Sequence, residues 1–349
     1  AITTLTATAV GNTVNYTGAS QTVKLPASSA YHHLSLTGSG TVTMPASAMS
    51  INGNFTTSGT ESATAGGAIT IGGNVSLGSG TTFNASTFTH SLAGNWTNNG
   101  GTFTAGTGTV SFSGGSAQAI GGTTATSFNN LTVNNSAGVT LSQNATVNGT
   151  LTFTSGNITT AANTMTIGAS GNVTRTSGHV VGNLLKNVAT GSSVLRTFEV
   201  GTGSDYTPVS LTFTSVSVAG NLTLSTTAGD HPQIASASID QTKSVNRYWT
   251  AVNSGITFTN YSVTLNFVST DVDGGANTAN FKVGLYNAGW TYPTVSAQQP
   301  LYTTATGVTT VGDFQVGESG LINKTWTGAT NNNWETATNW SPNGVPTAS

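Results

Sequence analysis

Apolar and polar residues alternate with a period of two through residues 128–176. Leu131 and Val133, Val139 and Leu141, Leu151 and Phe153, and Met165 and Ile167 each flank a single polar residue. This is the pattern of a strand buried on one face. The pairs are separated by Asn-Gly, Ser-Gly or Asn-Asn-Ser-Ala-Gly, which is turn chemistry. Short strands and tight turns, repeated with no helical period between them, predict a coiled β architecture.

The spacing is itself periodic. A turn residue followed by an apolar step recurs at His33-Leu34, Asn54-Phe55, Asn74-Val75, Asn95-Trp96, Asn130-Leu131, Thr150-Leu151 and Asn172-Val173, at offsets of 21, 20, 21, 35, 20 and 22. An insertion within residues 106–122 is expected to account for the long step. Residues 31–44 (YHHLSLTGSGTVTM) match residues 128–141 (FNNLTVNNSAGVTL) in apolar pattern. A unit of about 21 residues that buries its inward side chains against its neighbours predicts a β-solenoid. With strands about 4.8 Å apart, eight or nine rungs give a rod of about 40 Å. Hairpins packed as a β-sandwich also give short, regularly spaced strands and are the competing architecture.

Charge changes the picture along the chain. Only 5% of the 349 residues are charged, and residues 1–174 hold two of the eighteen charged side chains, Lys24 and Glu61. From about Arg196 the strands lengthen (Val209–Val218 and residues 221–225, 261–268, 281–286 and 309–316) and aromatics become denser. This predicts an Ig-like or jelly-roll β-sandwich. The expected organisation is a β-solenoid (β-helix) over residues 1–195, a β-sandwich over 196–322, and a Trp-rich extended tail, or the start of a next repeat, over 323–349. Trp326, Trp334 and Trp340 stand in that tail among polar and turn residues. Their rings call for a covering surface, so they are candidate partner contacts.

Composition narrows the function classes. The net charge is −2 and no basic run exists, which argues against binding nucleic acid through its phosphates. No apolar run reaches membrane-spanning length. There is no cysteine, hence no disulfide framework or thiolate metal site. The chain opens within a strand-like pattern, as expected of a processed form or a piece of something longer.

Candidate chemistry is sparse. A polysaccharide-cleaving β-helix needs paired carboxylates or a carboxylate–metal site with a base. The repeat region offers Lys24, Glu61, His32, His33 and His90, and one carboxylate makes no dyad. His32 and His33 stand where Asn129 and Asn130 stand in the matching fragment, which suggests a turn role. Asp271 and Asp273, in Asp-Val-Asp-Gly-Gly, are the best metal candidates, with calcium as the fitting ion. A plain Asp-Gly turn fits them better. Arg247 is a candidate for stacking on an aromatic ring, and Trp290 and Tyr292 for stacking on sugars.

TTLTATAVGNTVNYTGASQTVK, FNNLTVNNSAGVTL, SVNRYWTA followed by YSVTLNF, VGDFQVGE, and WTG with a downstream NWSP resemble the very large repetitive secreted proteins of Bacteroidetes-type bacteria. In those proteins β-solenoid stretches alternate with small sandwich modules. The resemblance implies export, an extracellular or cell-surface address, and a role in adhesion, gliding or fibres, with no catalytic residue to carry over. The expected function is therefore a non-catalytic structural segment that binds copies of itself through strand edges and the tail. An adhesin stalk or a module binding surface glycans is the alternative, and a polysaccharide-active enzyme using Asp271 or Glu61 ranks last.

Overall fold

The computed structural model describes residues 3–320, 325–341 and 345. Its first part is a β-solenoid of about nine turns. One face is an eight-stranded, all-parallel sheet running from Ala30–Tyr31 through Thr109–Phe112 to Asn172–Arg175. A second face starts at Thr13–Tyr16 and runs through His33–Leu36, Phe55–Thr57, Val75–Gly78 and Trp96–Asn99. A third holds Ser39–Thr43, Thr60–Thr64, Thr82–Asn84 and Thr102–Thr104.

Alternation selects which side chains enter. On the first face Tyr31, Ile51, Ile71, Leu92, Phe112, Val133 and Phe153 stack in register and are buried. Each such burial is worth about 1.5–3 kcal/mol. Their outward neighbours Ser50, Thr70, Ser91, Ser111, Thr132, Thr152 and Thr174 form a hydroxyl column on the same rungs. Two links of that column are direct: Ser91 Oγ donates to Thr70 Oγ1 (3.4 Å), and the Thr152 and Thr174 hydroxyls lie 3.1 Å apart.

The corners carry a second column. The amide of Asn54 donates to His33 Nδ1 (2.8 Å), that of Asn74 to Asn54 Oδ1 (2.9 Å), that of Asn95 to Asn74 Oδ1 (2.8 Å) and that of Ala119 to Asn95 Oδ1 (2.8 Å). Each side chain thus satisfies a corner amide of the following turn, where the sheet ladder is interrupted. Asn130 does the same for Thr150 (2.9 Å), so the turn role expected of His33 and Asn130 is realised as a link between rungs.

The long step in the repeat has a different cause from the insertion expected over residues 106–122. Leu34, Phe55, Val75 and Trp96 register with one another on the second face, whereas Leu131 registers with Val110 and Leu151 on the first. The motif changes face because all corners look alike in sequence. The true insertion is smaller: 24 residues separate Trp96 from its partner Ile120, against 20 or 21 for the preceding pairs. Gln118 fills the gap. Its Oε1 accepts from the Gly114 amide and from Asn135 Nδ2 (both 2.9 Å), and its Nε2 donates to the carbonyls of Leu92 (3.0 Å) and Gly94 (2.5 Å).

The strand Val180–Val188 joins the solenoid to the antiparallel region, with one more parallel pairing beyond it, to Val200–Thr202. It pairs in parallel with Ile158–Ile167 and antiparallel with Gly220–Ala228. From there one antiparallel sheet continues through Ile239–Ser254, Asp313–Ser319 and Lys282–Tyr286. A second comprises Gly191–Phe198, Val209–Val218, Tyr261–Asn266, Tyr302–Val308 and Thr294–Gln299. The inward residues of both sheets belong to one cluster with the solenoid core. The strand expected over residues 309–316 straddles a turn between Tyr302–Val308 and Asp313–Ser319. The expected tail is described over residues 325–341 and at 345; its other positions lie outside the described residues.

Asn74→Ala removes a corner acceptor and is expected to lower unfolding stability by about 1 kcal/mol, read from urea melts. Asn74→Asp keeps an acceptor oxygen and should cost less.

Candidate functional site

Asp271 and Asp273 lie close in sequence, but each is committed to a different partner. Arg247, on the long strand Ile239–Ser254, is 1% exposed and meets Asp271 through two bonds, Nε to Oδ2 (2.8 Å) and Nη2 to Oδ1 (3.1 Å). Asp271 Oδ2 also accepts from the Val268 amide (3.0 Å). Asp273 accepts from the Ser244 amide (2.8 Å) and from Asn246 Nδ2 (2.6 Å). The Asp-Val-Asp segment is thus an anchor for a buried guanidinium. Among the described residues no group of three or more His, Cys, Asp or Glu side chains converges as a metal site. Arg247 is paired with carboxylate rather than stacked; a guanidinium that does stack is that of Arg175, whose carbon lies 3.6 Å from the centre of the Tyr206 ring.

Arg175, Tyr206 and Arg247 surround His179 at the end of the solenoid. His179 is buried and its Nε2 has no partner among the described residues. Burial, reinforced by the Arg175 charge, holds its pKa down to about 4, with Asp205 opposing and Arg247 adding to the depression. The ring is therefore neutral at physiological pH. Arg247 Nη1 also donates to Thr202 Oγ1 (2.6 Å), tying the hairpin Val200–Thr202 and Asp205–Tyr206 to the antiparallel region.

The repeat-region candidates are dispersed. Glu61 points into the solenoid, 1% exposed, with neither carboxylate oxygen bonded among the described residues; burial raises its pKa. His90 is buried, accepting from the Ile69 amide at Nδ1 (3.2 Å), with Nε2 2.9 Å from the Ala85 carbonyl; burial lowers its pKa. The ring of His32 packs edge-on against His33, with centroids 4.3 Å apart. The backbone amide of Lys24 donates to the Tyr16 hydroxyl (2.9 Å).

Two aromatic clusters remain. The Trp290 ring packs against His231 and Tyr286, with centroids 5.1 and 5.2 Å away, and its indole N–H donates to the Gln233 carbonyl (3.1 Å). Tyr292 is 38% exposed, and its hydroxyl accepts from the Ser238 amide. Trp290 is thus a staple over the loop that includes Ile234–Ser236, and its polar edge is already used. In the tail the three tryptophans cover one another. Trp326 stacks on Trp334 (4.9 Å, interplanar 13°), and Trp340 meets both edge-on. Asn339, fully buried, accepts from the amides of Thr330 and Asn331 and shapes the loop around them. Trp340 is 6% exposed, whereas Trp334 remains 63% exposed.

Sequence reasoning missed the Arg247–Asp271 pair and the His179 cluster. Asp271 is 24 residues from Arg247, and Tyr206 and Arg247 are 27 and 68 residues from His179, with no motif joining them; the one available signal was the rise in charge after residue 174. No protein-family model, curated protein or solved structure matches the chain.

Asp271→Ala strands a buried guanidinium and should destabilise the fold by about 3–5 kcal/mol, with the wild-type melting temperature unchanged by calcium or chelator. Because the folded pKa of His179 lies below its unfolded value of about 6.5, its contribution is complete above that pH and falls away toward pH 4. Denaturant melts at pH 7 and pH 4 should therefore show a loss larger by about 3 kcal/mol in wild type than in His179→Gln.

Proposed function

We propose that this chain is a structural, non-catalytic segment or subunit of an extracellular fibre or cell-surface appendage. On this reading it associates with copies of itself through strand edges and the tryptophan tail. The observation that carries the proposal is a charge-poor, in-register stack with backbone edges left free. Thr13–Tyr16 pairs with His33–Leu36 alone among the described residues, and Gly191–Phe198 and Thr294–Gln299 are sheet margins. Soluble proteins guard such edges with Lys, Pro or bulges. Thr13–Tyr16 (TVNY) carries no charge, proline or bulge, whereas Thr294–Gln299 (TVSAQQ) is uncharged but bulged between Val295 and Ala297. A further coil on the first edge, from the same polypeptide or another copy, would continue the ladder, and a non-closing contact of that kind gives filaments.

The resemblance to large repetitive secreted proteins of Bacteroidetes-type bacteria agrees with this reading, as does an Ig-like or jelly-roll assignment for the two antiparallel sheets. The alternative, an adhesin stalk or glycan-binding module, is favoured by one observation: the largely exposed Trp334 ring presents a flat face of the kind that stacks on sugars.

Electron microscopy and sedimentation of the full chain should show end-joined particles or filaments. Thr13→Lys, a charge on the free edge, and Trp334→Ala should each reduce them. Discrete monomers at high concentration with the tail intact would overturn the proposal.

A further inference from the structure

A cleft of about 320 Å³ lies where the last solenoid turn meets the chain as it passes from Val180–Val188 in one antiparallel sheet to Gly191–Phe198 in the other. Its lining includes Lys186, Arg196, Glu199 and Leu195, together with the turn residues Ala169 and Ser170. In a chain this poor in charge, three ionic side chains around one cavity stand out.

The hydrogen bonds already made show what the cleft lacks. The Lys186 ammonium, nine-tenths buried, donates to the Thr197 carbonyl (2.7 Å) and to Glu199 Oε2 (2.6 Å), which leaves one of its three protons. Arg196 donates Nε to the Asn187 carbonyl (2.7 Å) and one Nη1 proton to the Leu195 carbonyl (2.8 Å), leaving three of its five. The turn is closed by the Gly171 amide donating to the Gly168 carbonyl (2.9 Å), and the amides of Ala169 and Ser170 within it have no acceptor among the described residues. Two cations face one carboxylate, so a single positive charge is uncompensated and the spare groups are donors. Leu195, 55% exposed, adds an apolar wall to the rim.

We propose that this cleft binds the carboxylate of an acidic sugar, a hexuronate residue free or within a polysaccharide. Its C–H face would rest on Leu195, and its carboxylate would lie between Arg196 and the turn amides. One excess charge suits a monoanion, charge-assisted bonds to guanidinium favour a planar carboxylate, and the volume is that of a small-ligand site. The proposal goes beyond the structural role and does not depend on it.

Calorimetry and NMR titration of the full chain with a galacturonate tetramer test the proposal. The comparison ligands are free galacturonate, a neutral galactose tetramer and acetate. Saturable binding of the tetramer is expected, weakened at least tenfold by Arg196→Gln and by raised salt. Leu195→Asp, a change at an exposed position that leaves the core intact, should abolish it. Comparable binding by free galacturonate identifies a monosaccharide as sufficient, and tighter binding of the tetramer identifies the polymer; either supports the site. Equal binding of acetate or of the neutral tetramer, no binding of either uronate, or affinity unchanged in both variants overturns it.

Discussion

In a parallel solenoid each residue lies about 4.8 Å from its counterpart in the next turn, and that proximity governs the composition of the chain. A charge repeated at one position would meet its own copy above and below. Two like charges at that distance repel by about 1 kcal/mol even in bulk water, and the cost recurs at every rung. Neutral polar side chains have the opposite property: a hydroxyl can bond to its copy, and an asparagine oxygen can accept from the backbone amide of its counterpart in the next turn. The hydroxyl column through Thr70, Ser91, Thr152 and Thr174 and the corner column through Asn54, Asn74 and Asn95 are the result. The scarcity of charge before Arg175 is thus a condition of the stack.

Once the repeat ends, the restriction lifts. Arg175, Lys186, Arg196, Glu199, Asp205, Arg247 and Asp271 gather where parallel pairing gives way to antiparallel pairing. The handover runs through one strand, Val180–Val188, bonded to both kinds of neighbour. No repeat copies these side chains, so ion pairs such as Arg247–Asp271 and Lys186–Glu199 can form without like charges stacked above and below them, and burial strengthens them.

Strand alternation was legible in the sequence because burial on one face writes it directly, as at Leu131 and Val133 or across Val209–Val218. The face to which a strand belongs was not legible. The fragments at Tyr31 and Phe128 read alike because both turn a corner, although they turn different ones. The full length of the strand Ile239–Ser254 was hidden by its charged residues, of which Arg247 finds its partner, Asp271, 24 residues away. Asp271 read as a turn residue because the guanidinium that binds it is remote in sequence. Trp290 read as an exposed platform because a sequence does not reveal that the loop carrying Gln233 reaches its indole N–H.

The tight corners also bear on chemical durability. Asn52-Gly53 and Asn148-Gly149 are the kind of dipeptide that ages fastest in a loose chain, where the glycine nitrogen attacks the preceding side-chain amide and closes a succinimide. Here the Gly53 nitrogen donates to the His32 carbonyl and the Gly149 nitrogen to the Asn129 carbonyl, each on the preceding turn. The nucleophile is held away from its target for as long as the turns stay stacked, so the winding that shapes the protein also slows its deamidation.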